Sequence, residues 1–242
     1  MNLCIDCGNS STKAAVFNRN QLIETLVYVD FGLTEIEVLF EKFPIKNCIL
    51  SSVVKNNENI IQELTRKSQY FIELTSKTTL PIKNLYETPD TLGKDRIAAV
   101  AGAAFLKPDT DLLVIDAGTA ITYDFINSEN EYNGGNIAPG LSMRLQAMHE
   151  FTSKLPLVEA ETESPFLGTN TKSAILAGAF QGIIFEMDGY INSLKIKYPQ
   201  LSTFLTGGST FYFANKLKNT IFAEKNLVLI GLNRILEYNV QN

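Results

Sequence analysis

Two stretches of this chain are near copies of one another, 110 residues apart: LCIDCGNSST from Leu3 and LVIDAGTAIT from Leu113. Aligned by sequence, Asp6 falls on Asp116, Gly8 on Gly118 and Thr12 on Thr122. Each is an apolar run that ends in Asp-x-Gly and continues into small hydroxyl residues. The order around them repeats as well: a strand, a glycine turn and a second strand. Self-similarity at a fixed offset implies duplication of a structural unit. Here it predicts two similar α/β halves, each opening on a hairpin, with their glycine turns facing across a cleft where a ligand would sit.

The remaining pattern supports that division. Strands are expected over Lys13–Asn18, Gln21–Tyr28, Asn47–Val54 and Tyr70–Leu74, and helices over Leu33–Phe43 and Asn57–Lys67, the first with Ile36, Leu39 and Phe40 at helical spacing. A loop-rich segment, LPIKNLYETPDTLGKDR, leads into an alanine-rich helix over Arg96–Leu106. LKPDTD (Leu106–Asp111) carries the best boundary signal, so the domains are expected at 1–108 and 109–242. Beyond it come a strand from Leu112, another over Thr122–Asn127 and the glycine-rich loop NGGNIAPG. Helices near Leu141–Phe151 and Thr171–Lys197, a strand over Ser202–Thr206 and a last strand near Leu227–Ile230 complete the second half.

Composition narrows the class of partner. With 45% hydrophobic and 19% charged residues over 242 positions, the chain has the make-up of a globular protein with a sizeable core. A net charge of −5 argues against nucleic acid, whose binders carry a basic stripe. It leaves room for a small anion held by local lysines and backbone amides. No secretory signal is visible at the start, and the apolar stretch Ile97–Leu106 is too short to span a bilayer. Three cysteines without a signal point to reduced thiols and a cytoplasmic setting.

A glycine after a strand-end aspartate lets the backbone turn tightly and aim its N–H groups at one point. Ser10, Ser11 and Thr12, or Thr119 and Thr122, add donors suited to phosphate oxygens. Asp6 and Asp116 would repel phosphate directly, so a cation between carboxylate and phosphate gives them a sensible role. Either turn alone reads more readily as an aspartate capping its own backbone. Two matching turns plus a Gly-Gly turn at Thr206–Ser209 favour a nucleotide. There is no G-x-x-x-x-G-K-[ST] loop and no G-x-G-x-x-G after a strand.

The pattern resembles the acetate and sugar kinase, Hsp70 and actin superfamily, and within it the type III pantothenate kinase family, over most of the chain. DCGNSSTK (Asp6–Lys13), YETPDTLGKDR (Tyr86–Arg96), DAGTAIT (Asp116–Thr122), GGNIAPG (Gly134–Gly140), GTNT (Gly168–Thr171) and TGG (Thr206–Gly208) stand in the family's order. Ser10 stands where the family often has Thr, which keeps the hydroxyl. The resemblance implies an α/β fold of two ribonuclease-H-like (actin-like ATPase) domains. It implies phosphorylation of pantothenate by ATP with Mg²⁺, a requirement for a monovalent cation (K⁺ or NH₄⁺), and a homodimer. Asp6, Gly8, Asn9, Ser10, Ser11, Thr12, Lys13 and Thr119 would cradle the ATP phosphates. Gly207 and Gly208 would lie near the adenosine, and Asp116 would ligate the monovalent cation.

Tyr86, Gly93, Lys94, Asp95, Arg96 and Thr171 are the substrate-binding positions by the same resemblance, with Lys94 in the motif's variable place. Asp95 could accept a proton from a substrate hydroxyl, while Arg96 offers a planar fork for a carboxylate. Asp95 could equally cap the alanine-rich helix, Arg96 be a solvated first-turn residue and Tyr86 be a packing aromatic. Cys4-x-x-Cys7 lacks a second pair for zinc, and His149 reads as a surface helical residue. Two other functions fit the same fold: a non-catalytic regulatory protein and a kinase for another small hydroxy acid.

Overall fold

Leu3, Cys4 and Ile5 are buried in succession along β1 (Asn2–Cys7), as in a strand covered on both faces; the glycine turn returns it antiparallel into β2 (Thr12–Asn18) and then β3 (Gln21–Tyr28). The computed structural model describes residues 1–8, 11–52 and 58–241. Asn9 and Ser10 of the first turn lie outside these, as do the expected strand end at Val54 and helix start at Asn57. After α1 (Leu33–Lys42), β4 (Asn47–Ser52) joins β1 in parallel, and after α2 (Glu58–Lys67), β5 (Tyr70–Glu73) joins β4 in parallel. The sheet order is β3-β2-β1-β4-β5. A two-residue strand β6 (Lys83–Asn84) and a 3₁₀ turn at Pro89–Thr91 precede α3 (Lys94–Leu106).

The second half repeats this plan. β7 (Leu112–Ala117) pairs antiparallel with β8 (Ala120–Ile126), and β9 (Glu131–Pro139) lies beside β8. Helices α4 (Leu141–Glu150) and α5 (Thr171–Lys197) follow, then β10 (Ser202–Thr206) parallel to β7. The short α6 (Thr210–Phe213) and β11 (Phe222–Ala223) lead to the C-terminal α7 (Leu227–Gln241). Within the second sheet the order β9-β8-β7-β10-β11 matches β3-β2-β1-β4-β5 strand for strand, and the pairings of β7 with β8, β7 with β10 and β10 with β11 have the same sense as those of β1 with β2, β1 with β4 and β4 with β5.

Two compact units result: residues 1–109 with 130–133 and 226–242, and residues 110–129 with 134–225. The first changes to the second within two residues of the boundary read from LKPDTD, but α7 belongs to the first unit. There it packs on α3, β1 and β4. Its Asn233 ties the unit together, accepting from Asn2 Nδ2 at 2.9 Å and donating to the Arg19 carbonyl at 2.9 Å. The core of the first unit gathers Leu3, Ile5, Val16, Ile36, Leu39, Leu50 and Leu64. The core of the second gathers Leu113, Ile115, Tyr123, Phe180, Ile183, Met187 and Leu205. Although α5 is long and apolar enough to cross a membrane, Phe180, Ile183, Met187 and Ile191 on it are buried in that core.

Two expectations are corrected. The last strand expected near Leu227–Ile230 is the first turn of α7, because the apolar run continues through Leu232, Ile235 and Leu236 at helical spacing. NGGNIAPG is the strand β9 rather than a loop. Gly135 is needed there: a Cβ on it would stand 1.9 Å from the Tyr123 carbonyl oxygen of β8.

Candidate active site

In the first unit the end of β1 carries Asp6 between two neighbours fixed by register, Lys13 of β2 and Ser51 of β4. The Ser51 hydroxyl donates to Asp6 Oδ1 at 3.0 Å. Beyond Asp6 the turn closes where the Gly8 N–H donates to the Ser11 carbonyl at 3.1 Å. Desolvation is the main reason the Asp6 carboxyl is pushed up to about 6. The Asp95 charge adds to it, while the Ser51 hydrogen bond and Lys13 oppose it. The coupling to Asp95 places the two carboxylates in one electrostatic neighbourhood.

Asp95 sits in the first turn of α3, whose N-cap is Gly93, so Asp95 is not itself the cap residue. Its Oδ1 accepts the Arg96 backbone N–H at 2.9 Å, one of the donors a helix start leaves unbonded. Gly93 allows this, since a Cβ there would come within 2.5 Å of that same oxygen. Arg96 is not solvated. It is 5% exposed, and its guanidinium carbon lies 5.6 Å from the centre of the Tyr86 ring. That ring stacks at 6.1 Å and 21° on the buried Tyr132, which the pairing of β6 with the start of β9 places behind it. Tyr86 is therefore more than a packing aromatic: its ring lies against a buried cation. Lys94 turns to a different partner, Glu73 of β5, with Nζ 3.3 Å from Oε1.

The second unit builds its turn from three glycine segments. The Gly118 N–H donates to the Ala120 carbonyl at 3.0 Å, the counterpart of the Gly8 bond. Gly207 takes φ +96°, and a Cβ on it would meet Asp116 Oδ1 at 2.3 Å and the Ala117 carbonyl at 2.5 Å. Gly140, the N-cap of α4, donates its N–H to the Thr119 carbonyl at 3.0 Å, and a Cβ there would stand 2.3 Å from the Gly118 oxygen. Asp116, Thr119 and Gly207 are thus brought together, with Gly208 exposed just beyond. Thr171 lies apart from them as the first residue of α5, exposed, after the Asn170 cap that accepts from Ser173 N. It lines an open cavity of about 560 Å³ with Met148, Leu155 and Ile175.

The near-repeat hides a one-residue difference. Four residues, 8–11, separate the paired positions Cys7 and Thr12, but only three, 118–120, separate Ala117 and Ile121. The cross-strand neighbour of Asp6 is Lys13, whereas that of Asp116 is Thr122. Aligning Thr12 with Thr122 by sequence therefore puts residues from opposite sheet faces together.

Ser51, Gly140 and Tyr132 join these sites without being marked as site residues by the sequence pattern. Ser51 and Tyr132 reach their places through parallel pairing with distant strands, which leaves no local signal. Gly140 lay in a recognised motif, but its contact with the turn depends on β9 being a strand. Cys4 and Cys48 are buried thiols, and His149 is an exposed helical residue with Nδ1 2.9 Å from the Leu155 carbonyl oxygen.

The family model described as type III pantothenate kinase matches residues 2–193. The chain belongs to the type III pantothenate kinase family. A type III pantothenate kinase of Bacteroides fragilis is 49% identical over 239 residues, covering 99% of this chain and 98% of the relative. Solved structures share the fold at much lower identity. A Campylobacter jejuni protein assigned to the Baf family of transcriptional activators superposes with a TM-score of 0.61 at 24% identity, covering 99% of this chain and all of that one. The activator of 2-hydroxyisocaproyl-CoA dehydratase from Clostridium difficile, solved with bound ADPNP, gives a TM-score of 0.52 at 12% identity, covering 98% of this chain and 93% of that one. These likenesses concern the fold, which is the two-domain actin-like ATPase fold expected of the family.

Proposed function

We infer that this chain phosphorylates pantothenate to 4'-phosphopantothenate with ATP, the first step of coenzyme A biosynthesis. The observation that carries this reading is the GKDR segment at the head of α3, in a chain whose family is that of type III pantothenate kinases. Pantothenate offers a primary hydroxyl and a carboxylate, and Asp95 and Arg96 match the two. Arg96, held under Tyr86, takes the carboxylate as a charge-assisted fork. Asp95 takes the hydroxyl proton as the alcohol oxygen bonds to the γ-phosphorus and the bond to the ADP oxygen breaks. Positioning and charge neutralisation supply most of the rate in such transfers. Gly93 and Lys94 complete the segment, Lys94 by anchoring it to Glu73, and Thr171 serves the substrate from α5.

Gly8, Ser11, Thr12 and Lys13 hold ATP phosphates in the first unit, together with Asn9 and Ser10 outside the described residues. Thr119 does so in the second, and Gly207 and Gly208 give close approach to adenosine. A divalent metal fits Asp6. Among the described residues no cluster of three His, Cys, Asp or Glu could cage a metal, and Mg²⁺ characteristically takes only one or two carboxylates plus phosphate oxygens. Held by Asp6, such a metal would supply positive charge to the phosphates during transfer. Asp116, which Gly207 approaches closely, would hold the monovalent cation, K⁺ or NH₄⁺. We place the enzyme in the cytoplasm as a homodimer, for which exposed Phe166, Leu167 and Phe185 supply apolar surface.

An ADP-release assay over a panel of hydroxy acids tests the reading. Turnover with pantothenate far above the other acids is expected. Preference for a different acid would move the substrate, and no release with any of them would favour a regulator on the same fold.

A further inference from the structure

A charged network in the second unit has no part in the roles above. Glu186, in the middle of α5, accepts the Tyr123 hydroxyl of β8 at 2.7 Å on Oε1 and the Arg144 guanidinium of α4 at 2.6 Å on Oε2. Arg144 also donates from Nε to the Pro139 carbonyl at 2.8 Å. Gly182 lies one turn before Glu186 on the same helix, beside the guanidinium: a Cβ there would make ordinary contact with Arg144 Nη1 at 3.6 Å. Tyr190 packs on the Tyr123 ring at 4.2 Å. Burial and Glu186 push the Tyr123 hydroxyl far above its usual range, so it remains a donor. Every group in the network has a partner, and one connection leads out of it. Pro139 precedes Gly140, whose N–H holds the Thr119 carbonyl and whose lack of a Cβ lets it touch Gly118.

We propose that Glu186 and Arg144 are positioning residues for nucleotide binding, fixing the Gly118–Thr119 turn through Pro139 and Gly140. The proposal rests on the assignment of Thr119 to the ATP phosphates. A network that only joined helices would need no bond to the strand end feeding that turn. The fork geometry matters because Arg144 must hold Glu186 and Pro139 at once, which a lysine's single ammonium cannot do in the same directions.

The test is calorimetric titration of Mg·ATP into the full-length protein without pantothenate, with the folded fraction checked by circular dichroism. Loss of one charge-assisted bond predicts Kd raised about tenfold in Glu186→Gln and in Arg144→Lys. Tyr123→Phe, which removes one hydroxyl and keeps the ion pair, guards against a variant that does not fold, and about a twofold rise is expected for it. Steady-state kinetics should show KM for ATP rising while KM for pantothenate stays put. Unchanged Kd in the folded variants, or equal rises in both KM values, overturns the proposal. Failure of the wild-type protein to phosphorylate pantothenate would count against the substrate reading and leave the ATP titration interpretable.

Discussion

At the scale of single residues, the two carboxylates of the first unit have opposite uses. Asp95 accepts an N–H at the start of α3, which fixes where its carboxylate stands for a role as base. Replacing it with Asn keeps the shape and removes the base, so kcat is expected to fall by about 10²–10⁴-fold. A loss under tenfold with substrate binding intact would leave Asp95 only a positioning role. Asp6 is held charged at a cost. Its carboxyl rises from 3.8 to about 6 on folding, so the folded chain binds the proton more tightly than the unfolded one. Stability from this group is therefore greatest at low pH and falls as pH climbs through the window between those values. Asp6→Asn, which can still accept from Ser51, should stabilise the metal-free protein at pH 7.5 by about 2–3 kcal/mol and by little near pH 4. Urea denaturation at both values checks it. A wild-type protein more stable than the variant at pH 7.5 would mean Lys13 already offsets the burial. With Asp6 in its proposed role as metal ligand, activity should rise with pH through about 6.

Among elements, the pair α3 and α7 shows why composition alone misleads. Gly102 of α3 would put a Cβ 2.4 Å from the Leu227 carbonyl oxygen, and Gly231 of α7 would put one 1.7 Å from that of Ala98. The helices touch backbone to backbone at these two glycines. Gly231→Ala should therefore destabilise the protein by about 1–3 kcal/mol, through overpacking, despite a helix propensity gain near 1 kcal/mol. Equilibrium unfolding decides the sign, and a stabilised variant would show that the helices can part without loss. The same pair marks the limit of what sequence makes legible. β1, β2 and α3, and the turns between strands, declare themselves through period and glycine placement. The start of α7 does not, because four apolar residues in a row carry neither helical nor strand period. The site divides in the same way. Asp6, Asp95 and Asp116 stand in local motifs, whereas Ser51 and Tyr132 are delivered by long-range pairing. Arg96 reads as a charged first-turn residue until it is seen to be buried against the Tyr86 ring.

For the whole molecule, duplication explains a difference as well as a likeness. Both units share one strand order, and both end their central strand in an aspartate followed by a glycine turn. The first turn is one residue longer, which sets a lysine across from Asp6 and a threonine across from Asp116. One unit thus has a covalently attached cation beside its carboxylate, and the other is suited to a dissolved one. With Asp116 in its proposed role, K⁺ would stand in the second unit where Lys13 stands in the first. The wild-type enzyme should then work with K⁺ or NH₄⁺ and lose most of its rate in a buffer containing sodium alone. Thr122→Lys supplies the missing ammonium at the equivalent register position. Its absolute rate should be lower, because the half-buried site must admit a longer side chain, but the ratio of rates in potassium and sodium should approach one. A variant that keeps the wild-type ratio would separate the cation requirement from the Asp116 pairing, and full wild-type rate in sodium alone would remove the cation from Asp116.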